Sequence, residues 1–349
     1  MKNILIFTLS IFLFLVSCKK NEIEENTRTE EYIINCSITE RVFSNEDITL
    51  ILEDIEPTTI TTNIILDEFN FIDENVGYGI GTNLDKPYGV WKTIDGGRVW
   101  SLVYENQNRV IVDFHPINNR EVLILLSELS DRGEVVFILV HMLFNDILNE
   151  YSIPNLKKGL YMSFINKDIG IIGTDSSQGE LFTTIDGGRN WKNQPISVSI
   201  NDELMSYQQK IFLQTNQGIY VSTDCGTSWN ERNRIIIRAK EIKNYKNDFY
   251  LMTNSEGLYK TDSTFTSLTQ QSDKVLAYWE VIDKNTIVGI DDNKIFLSND
   301  EGRNWINKSI GTGSSGERIR YCQWINPKIA YILDNYSGIN RLTKIKINK

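Results

Sequence analysis

The sequence predicts an all-β chain folded as a β-propeller of four-stranded blades, and three observations predict it. A short motif, Ser/Thr-x-Asp-x-Gly-x-x-Trp, occurs four times. Its copies recur at or near multiples of a unit of 38 residues. Between them lie short apolar runs crowded with β-branched and aromatic side chains, a composition that favours strands. Four short strands per repeat of about 40 residues is the pattern of a propeller blade.

The amino terminus precedes the repeats and reads as processing. Lys2 is followed by an apolar run from Ile4 to Val16, shorter than the about 20 residues that span a bilayer. Leu15-Val16-Ser17-Cys18 resembles the lipobox of bacterial lipoproteins, which implies a signal peptide over 1–18 and lipid attachment at Cys18. Residues 19–31 carry Glu22, Glu24, Glu25, Glu30 and Glu31 and read as a solvated tether. The propeller is expected over 32–349. Lys19-Lys20 followed by acidic residues also resembles surface-export signals, so the expected location is the cell envelope, anchored to the outer membrane and periplasmic or surface-exposed.

The motif stands at Thr93, Asp95, Gly97, Trp100; at Thr184, Asp186, Gly188, Trp191; at Ser222, Asp224, Gly226, Trp229; and at Ser298, Asp300, Gly302, Trp305. The aspartates are 91, 38 and 76 residues apart, so each longer interval hides a further copy. In the last interval Glu256-Gly257-Leu258-Tyr259 aligns with Gln217-Gly218-Ile219-Tyr220, which puts Thr261, Ser263, Phe265 and Leu268 at the motif positions. In the first, only the apolar strand Val135 to Phe144 is recognisable. Upstream, Phe71-Ile72-Asp73-Glu74-Asn75-Val76-Gly77 parallels Phe164-Ile165-Asn166-Lys167-Asp168-Ile169-Gly170, read as strand, polar turn, strand. Counting gives blades near 64–104, 109–154, 160–198, 203–234, 237–270, 275–308 and 317–347. The last lacks an outer strand, and Ile48 to Leu52 is available to close the ring. Seven blades fit best, with six and eight left open.

The motif is explained by geometry. Its hydroxyl and carboxylate can bond nearby backbone and fix a tight turn. Its glycine is expected at positive φ, and its Trp can fold back as an apolar plug. The pattern resembles the Asp-box, or BNR repeat, of sialidase-like propellers, of sortilin-type receptors and of the photosystem II assembly factor class. The resemblance spans roughly residues 57–310 and is densest over 64–103 and 160–231. In those families the boxes sit on the rim, away from the ligand face.

Sialidases of this kind use three arginines, the first in a Phe/Tyr-Arg-Ile-Pro motif, with a Tyr-Glu pair and an Asp. Here Tyr151-Ser152-Ile153-Pro154 lacks the arginine, Arg28 and Arg41 are not followed by Ile-Pro, and Arg98, Arg189 and Arg303 belong to motif turns. Arg318 and Arg320, on one face of an expected inner strand, are the remaining candidates for anion binding in the channel. No catalytic residue is named. A glycosidase needs only two nearby carboxylates, and with 46 acidic residues the sequence singles out none.

Other chemistries find little support. A net charge of −10 and no concentrated basic face disfavour nucleic acid. Two histidines and four scattered cysteines, without a Cys-x-x-Cys, offer no metal site. His115 and His141 read as structural. Gly311, Gly313 and Gly316 match a dinucleotide fingerprint without its strand-turn-helix context, so no cofactor is expected. Cys36 with Cys322, or no disulfide, are both open. The leading expectation is a lipid-anchored, non-enzymatic propeller that binds a protein, peptide or glycan. The alternative is a glycoside hydrolase acting on surface or extracellular glycan.

Overall fold

In the computed structural model the described residues run from Ile55 to Ile347, less 84–85, 106–107, 144–145, 157–160, 174–179, 195, 197–203, 209, 216–217, 234–238, 293, 311–317, 327 and 337–338. Cys18, the tether, Arg28, Cys36, Arg41 and the Gly311 loop lie outside them, as does the whole contact unit Met1–Asn35.

Seven antiparallel sheets of four strands hold every strand among the described residues. They span 65–105, 110–153, 161–194, 205–233, 239–272, 278–309 and 318–347, close to the blades counted from the repeat. The first blade is Ile65–Phe71, Gly77–Asn83, Lys86–Thr93 and Trp100–Glu105, taken from the channel outward. The seventh contributes Arg318–Asn326, Ile329–Tyr336 and Ile339–Ile347, and takes its outermost strand from the start of the ring. That strand is Ile55–Ile60, paired from Ile55↔Ile347 to Ile60↔Leu342, whereas the expected Ile48–Leu52 lies outside the described residues. Pro57 has no N–H to donate, and an edge strand tolerates this because one side of its ladder is unused.

The core is divided among the junctions between blades. Leu66, Phe69 and Phe71 of the first blade pack with Tyr331, Leu333 and Leu342 of the seventh, and clusters of this kind recur around the ring. Each sheet is therefore covered on both faces. That is why Val122-Leu123-Ile124-Leu125-Leu126, in a second strand, is buried without alternation.

Every junction also carries a polar latch. From the first–second junction onward these are Lys92 Nζ to Asn119 O (2.5 Å), Met162 N to Asp113 Oδ2 (2.7 Å) and Leu204 N to Ser163 Oγ (3.0 Å). Gln214 Nε2 to Ala239 O (2.6 Å), Lys240 Nζ to Ala277 O (2.5 Å) and the Tyr278 hydroxyl to Arg320 O follow. At closure, Gln323 accepts from Phe71 N (2.7 Å) and donates to Asn70 Oδ1 (2.9 Å) and Phe71 O (3.0 Å). Beside it Tyr331 stacks on Phe71 with ring centres 3.8 Å apart.

Candidate functional site

The four motif turns each join the third and fourth strands of a blade. In the second copy Thr184 Oγ1 donates to Asp186 Oδ1 (2.9 Å) and accepts from Gly188 N (2.9 Å), while Asp186 accepts from Asn190 N (2.9 Å) and Nδ2 (2.7 Å). Thr93 and Asp95, Ser222 and Asp224, and Ser298 and Asp300 repeat the same hydroxyl-to-carboxylate bond at 2.8–2.9 Å. Burial pushes Asp186 up, but the bonds from Asn190 and Thr184 outweigh it and hold the carboxyl below its ordinary range. The glycines take positive φ, and the reason is more than the turn. At Gly188 (φ 86°) an added Cβ would meet Leu139 Cδ2 at 2.3 Å, and at Gly302 (φ 85°) it would meet Leu258 Cδ2 at 2.3 Å. Both leucines belong to the third strand of the preceding blade, so the glycine is the notch into which a neighbour fits. Trp100 is buried and donates to Gly97 O (2.8 Å), whereas Trp191, Trp229 and Trp305 are half-buried.

Two features of these turns were not foreseen. The residue after each Asp is also left-handed, and at Cys225 (φ 61°) and Glu301 (φ 62°) it is not glycine. In the decayed fifth copy Phe265 sits at the glycine position with φ 53°, and its ring is fully buried against Phe212 and Phe249. The neighbour's side chain no longer enters a notch there; the turn's own side chain enters the neighbour. Cys225 is disulfide-bonded and Cys322 is free, so both open readings, a Cys36–Cys322 bridge and no disulfide, are overturned.

The motif turns touch the turns between first and second strands: Gly96 N donates to Asn75 O and Gly187 N to Asp168 O, each at 2.9 Å. Those inner turns are fixed in turn by side-chain caps, such as Asp73 Oδ1 on Asn75 N and Val76 N. Asn166 Oδ1 does the same for Asp168 N and Ile169 N.

A cavity of about 1000 Å³ lies on the channel, walled by innermost strands and these inner turns. Asn70, His115, Asn118 and Lys167 from the first three blades form one side. Glu241, Lys243, Tyr278, Glu280, Tyr321 and Cys322 from the fifth to seventh form the other. Because Asn118 and Lys167 stand on inner turns, the cavity reaches the face that bears the motif turns as well as the strand starts at Lys240 and Ala277. None of the motif residues is among those that line it.

The second wall is an ionic cluster set among aromatics. Lys243 Nζ lies 2.7 Å from Glu241 and 4.0 Å from Glu280. Lys240 Nζ is 5.8 Å from the centre of the Tyr278 ring. Burial, then the carboxylates of Glu241 and Glu280, push the Cys322 thiol up, which makes it a poor nucleophile. Tyr278 is raised by burial, then by Cys322 and Glu241, while the Arg320 charge lowers it.

Arg320 is exposed and is not among the lining residues, and the side chain of Arg318 is outside the described set. The reading that put both arginines on one channel-facing side assumed regular alternation. The strand is bulged: Ile319 pairs with Asp334 and Tyr321 with Leu333, leaving Arg320 as the extra residue. Ile319 and the run from Tyr321 to Trp324 line the cavity instead. His115 lines the cavity; His141 is partly buried in the second blade with Nε2 unpartnered, and burial lowers its pKa. Among the described residues no group of three His, Cys, Asp or Glu could hold a metal ion.

No protein-family model and no curated protein matches the chain. Solved structures do. YCF48 bound to D1 peptide superposes with a TM-score of 0.59 at 14% identity, over 90% of this chain and 100% of that one. YCF48 from Cyanidioschyzon merolae gives 0.55 at 15% identity, over 83% and 98%. The WD40 β-propeller domain of Doa1 gives 0.55 at 11% identity, over 83% and 96%. At such identities the likeness is one of fold, that of a seven-bladed propeller.

Proposed function

We propose that this propeller is a binding module, anchored to the cell envelope through Cys18, whose channel cavity takes a segment of another protein. The observation that carries this reading is the cavity's make-up. Aromatic rings, side-chain amides and a charge cluster of both signs face one space of about 1000 Å³, a size suited to a few residues of extended chain. That a similar fold is known bound to a peptide agrees with it. We also read the four turns as Asp-boxes of the BNR kind, with a scaffold role. A disulfide at Cys225 fits an oxidising compartment.

Retention of peptides from an array by the full chain, weakened at least several-fold in Glu241→Gln and Lys167→Ser, is the expected result. Glycan hydrolysis without peptide retention would overturn it. For the anchor, Cys18→Ser should move the protein from membrane to soluble fractions, and unchanged membrane attachment would remove lipidation.

The glycosidase reading keeps one specific support, since Glu241 and Glu280 are two carboxylates within 4.0 Å of one ammonium. Hydrolysis requires one of the two to deliver a proton to the leaving oxygen, and Lys243 competes for both. Glycan turnover abolished by Glu280→Gln would establish this reading over binding.

A further inference from the structure

The motif turn of the fourth blade differs from the other three in what stands beside it. In the first, third and sixth blades five residues join the two innermost strands. Those turns reach the residue after the motif Asp: Asn75 O, Asp168 O and Asn285 O accept from Gly96 N, Gly187 N and Glu301 N at 2.8–2.9 Å. A side chain at that position points toward the same turn, since a Cβ added at Gly96 or Gly187 would lie 3.1 Å from Glu74 O or Lys167 O. In the fourth blade Tyr207 pairs with Lys210, which leaves only Gln208 and Gln209 between the strands. The residue after its Asp is Cys225, left-handed at φ 61° and only 1% exposed. It packs with Ile169 and Ile211, and it is disulfide-bonded.

The partner follows from the cysteine count. The chain has four cysteines, Cys18, Cys36, Cys225 and Cys322. Cys322 is free, on the innermost strand of the seventh blade beside the channel cavity. Burial, then Glu241 and Glu280, push its thiol up, so it stays protonated and is a poor attacker of disulfides. Cys18, as a lipid attachment site, carries the lipid on its sulfur and has no thiol to offer. Cys36 remains. The connection is long enough, because the nineteen residues from Cys36 to Ile55 span up to about 65 Å. Ile55 pairs with Ile347, so the closing strand starts on the face that bears the motif turns. The fourth and seventh blades stand nearly opposite in the ring, and each measures about 14 Å from innermost to outermost strand. That distance across the ring lies within reach.

We infer that Cys36 and Cys225 form a disulfide, and that Cys36 with the residues after it covers the fourth motif turn in place of a long inner turn. The choice of Cys36 over Cys18 rests on the lipid reading, and the cavity reading plays no part in it. Formation is a two-electron oxidation by a disulfide-bearing oxidant. One thiolate attacks the oxidant and displaces one of its sulfurs; the other thiolate then attacks the mixed disulfide, and the oxidant leaves as a dithiol carrying both protons. Trypsin places Cys36, Cys225 and Cys322 in separate peptides, 29–41, 211–232 and 321–328. Mass spectrometry of the unreduced full chain, alkylated before digestion, should show 29–41 joined to 211–232, with 321–328 alkylated. Cys36→Ser and Cys225→Ser should each lower the melting temperature by about 5 °C or more, and the double variant no further. Amide exchange should quicken in the turn 222–229 of Cys36→Ser and stay level in the turn 184–191. An alkylated Cys225, a bond to Cys322, or a bond found only in a covalent dimer would overturn the inference alone. A bond from Cys225 to Cys18 would overturn it together with lipid attachment. Additive losses in the double variant, or unchanged exchange in the fourth turn, would also overturn it.

Discussion

At the scale of residues, the motif aspartates are small fixed charges on which a turn depends. Asp95, Asp186, Asp224 and Asp300 are all held below the ordinary carboxylate range, because hydrogen bonds from hydroxyls and backbone N–H groups outweigh the effect of burial. A carboxylate whose folded pKa is depressed stabilises the fold above its unfolded value, about 3.9. That stability is lost as pH falls through the folded value. Melting temperature should therefore be level above pH 5 and fall as the pH is taken below 4. Asp186→Asn, which keeps an acceptor but cannot titrate, should show a shallower fall, and Asp186→Ala should cost about 1 kcal/mol at neutral pH in denaturant titrations. An equal acid slope in wild type and Asp186→Asn would show that the turn charge is not the sensitive group.

Among elements, the blade with the decayed turn is the informative one. Phe265 occupies a glycine's backbone conformation and still contributes a fully buried ring to the junction of the fourth and fifth blades. Phe265→Ala should cost about 3–5 kcal/mol, far more than loss of a motif aspartate, and Phe265→Gly should recover no more than about 1 kcal/mol of it through backbone relief. A loss below 1 kcal/mol by chemical denaturation would mean that the ring is not holding the junction. The blades were legible in the sequence because four repeat the turn chemistry and the others keep the strand spacing, and the fifth could be placed by aligning Glu256-Gly257-Leu258-Tyr259 with Gln217-Gly218-Ile219-Tyr220. The bulge at Arg320 was not, since an extra residue leaves no mark on composition yet breaks the alternation by which Arg320 was placed. Nor were Glu241 and Glu280, because nothing local distinguishes two channel carboxylates from 44 others. Ile48–Leu52 drew attention as a closing strand by its apolar pattern, while Ile55–Ile60 was hidden by its proline and glutamate.

For the molecule as a whole, stability is distributed over junctions, and at the closing one a single side chain carries most of the polar contact. Gln323 makes three hydrogen bonds across it, whereas Ser163 makes one across the third–fourth junction. Gln323→Ala leaves Phe71 N without its partner and should cost about 1–3 kcal/mol, against about 1 kcal/mol for Ser163→Ala. Equal shifts in denaturation midpoint would show that closure is no tighter than the other contacts. The origin of the seventh blade's outer strand also imposes an order in time. Ile55–Ile60 is synthesised before its partner Ile339–Ile347, with the other strands of the ring between them, so it must wait for that partner. An unpaired strand kept waiting invites pairing with other chains. Pro57 interrupts its hydrogen-bonding edge, and the residue that makes this segment look unlike a strand is the one that protects it until the ring can shut.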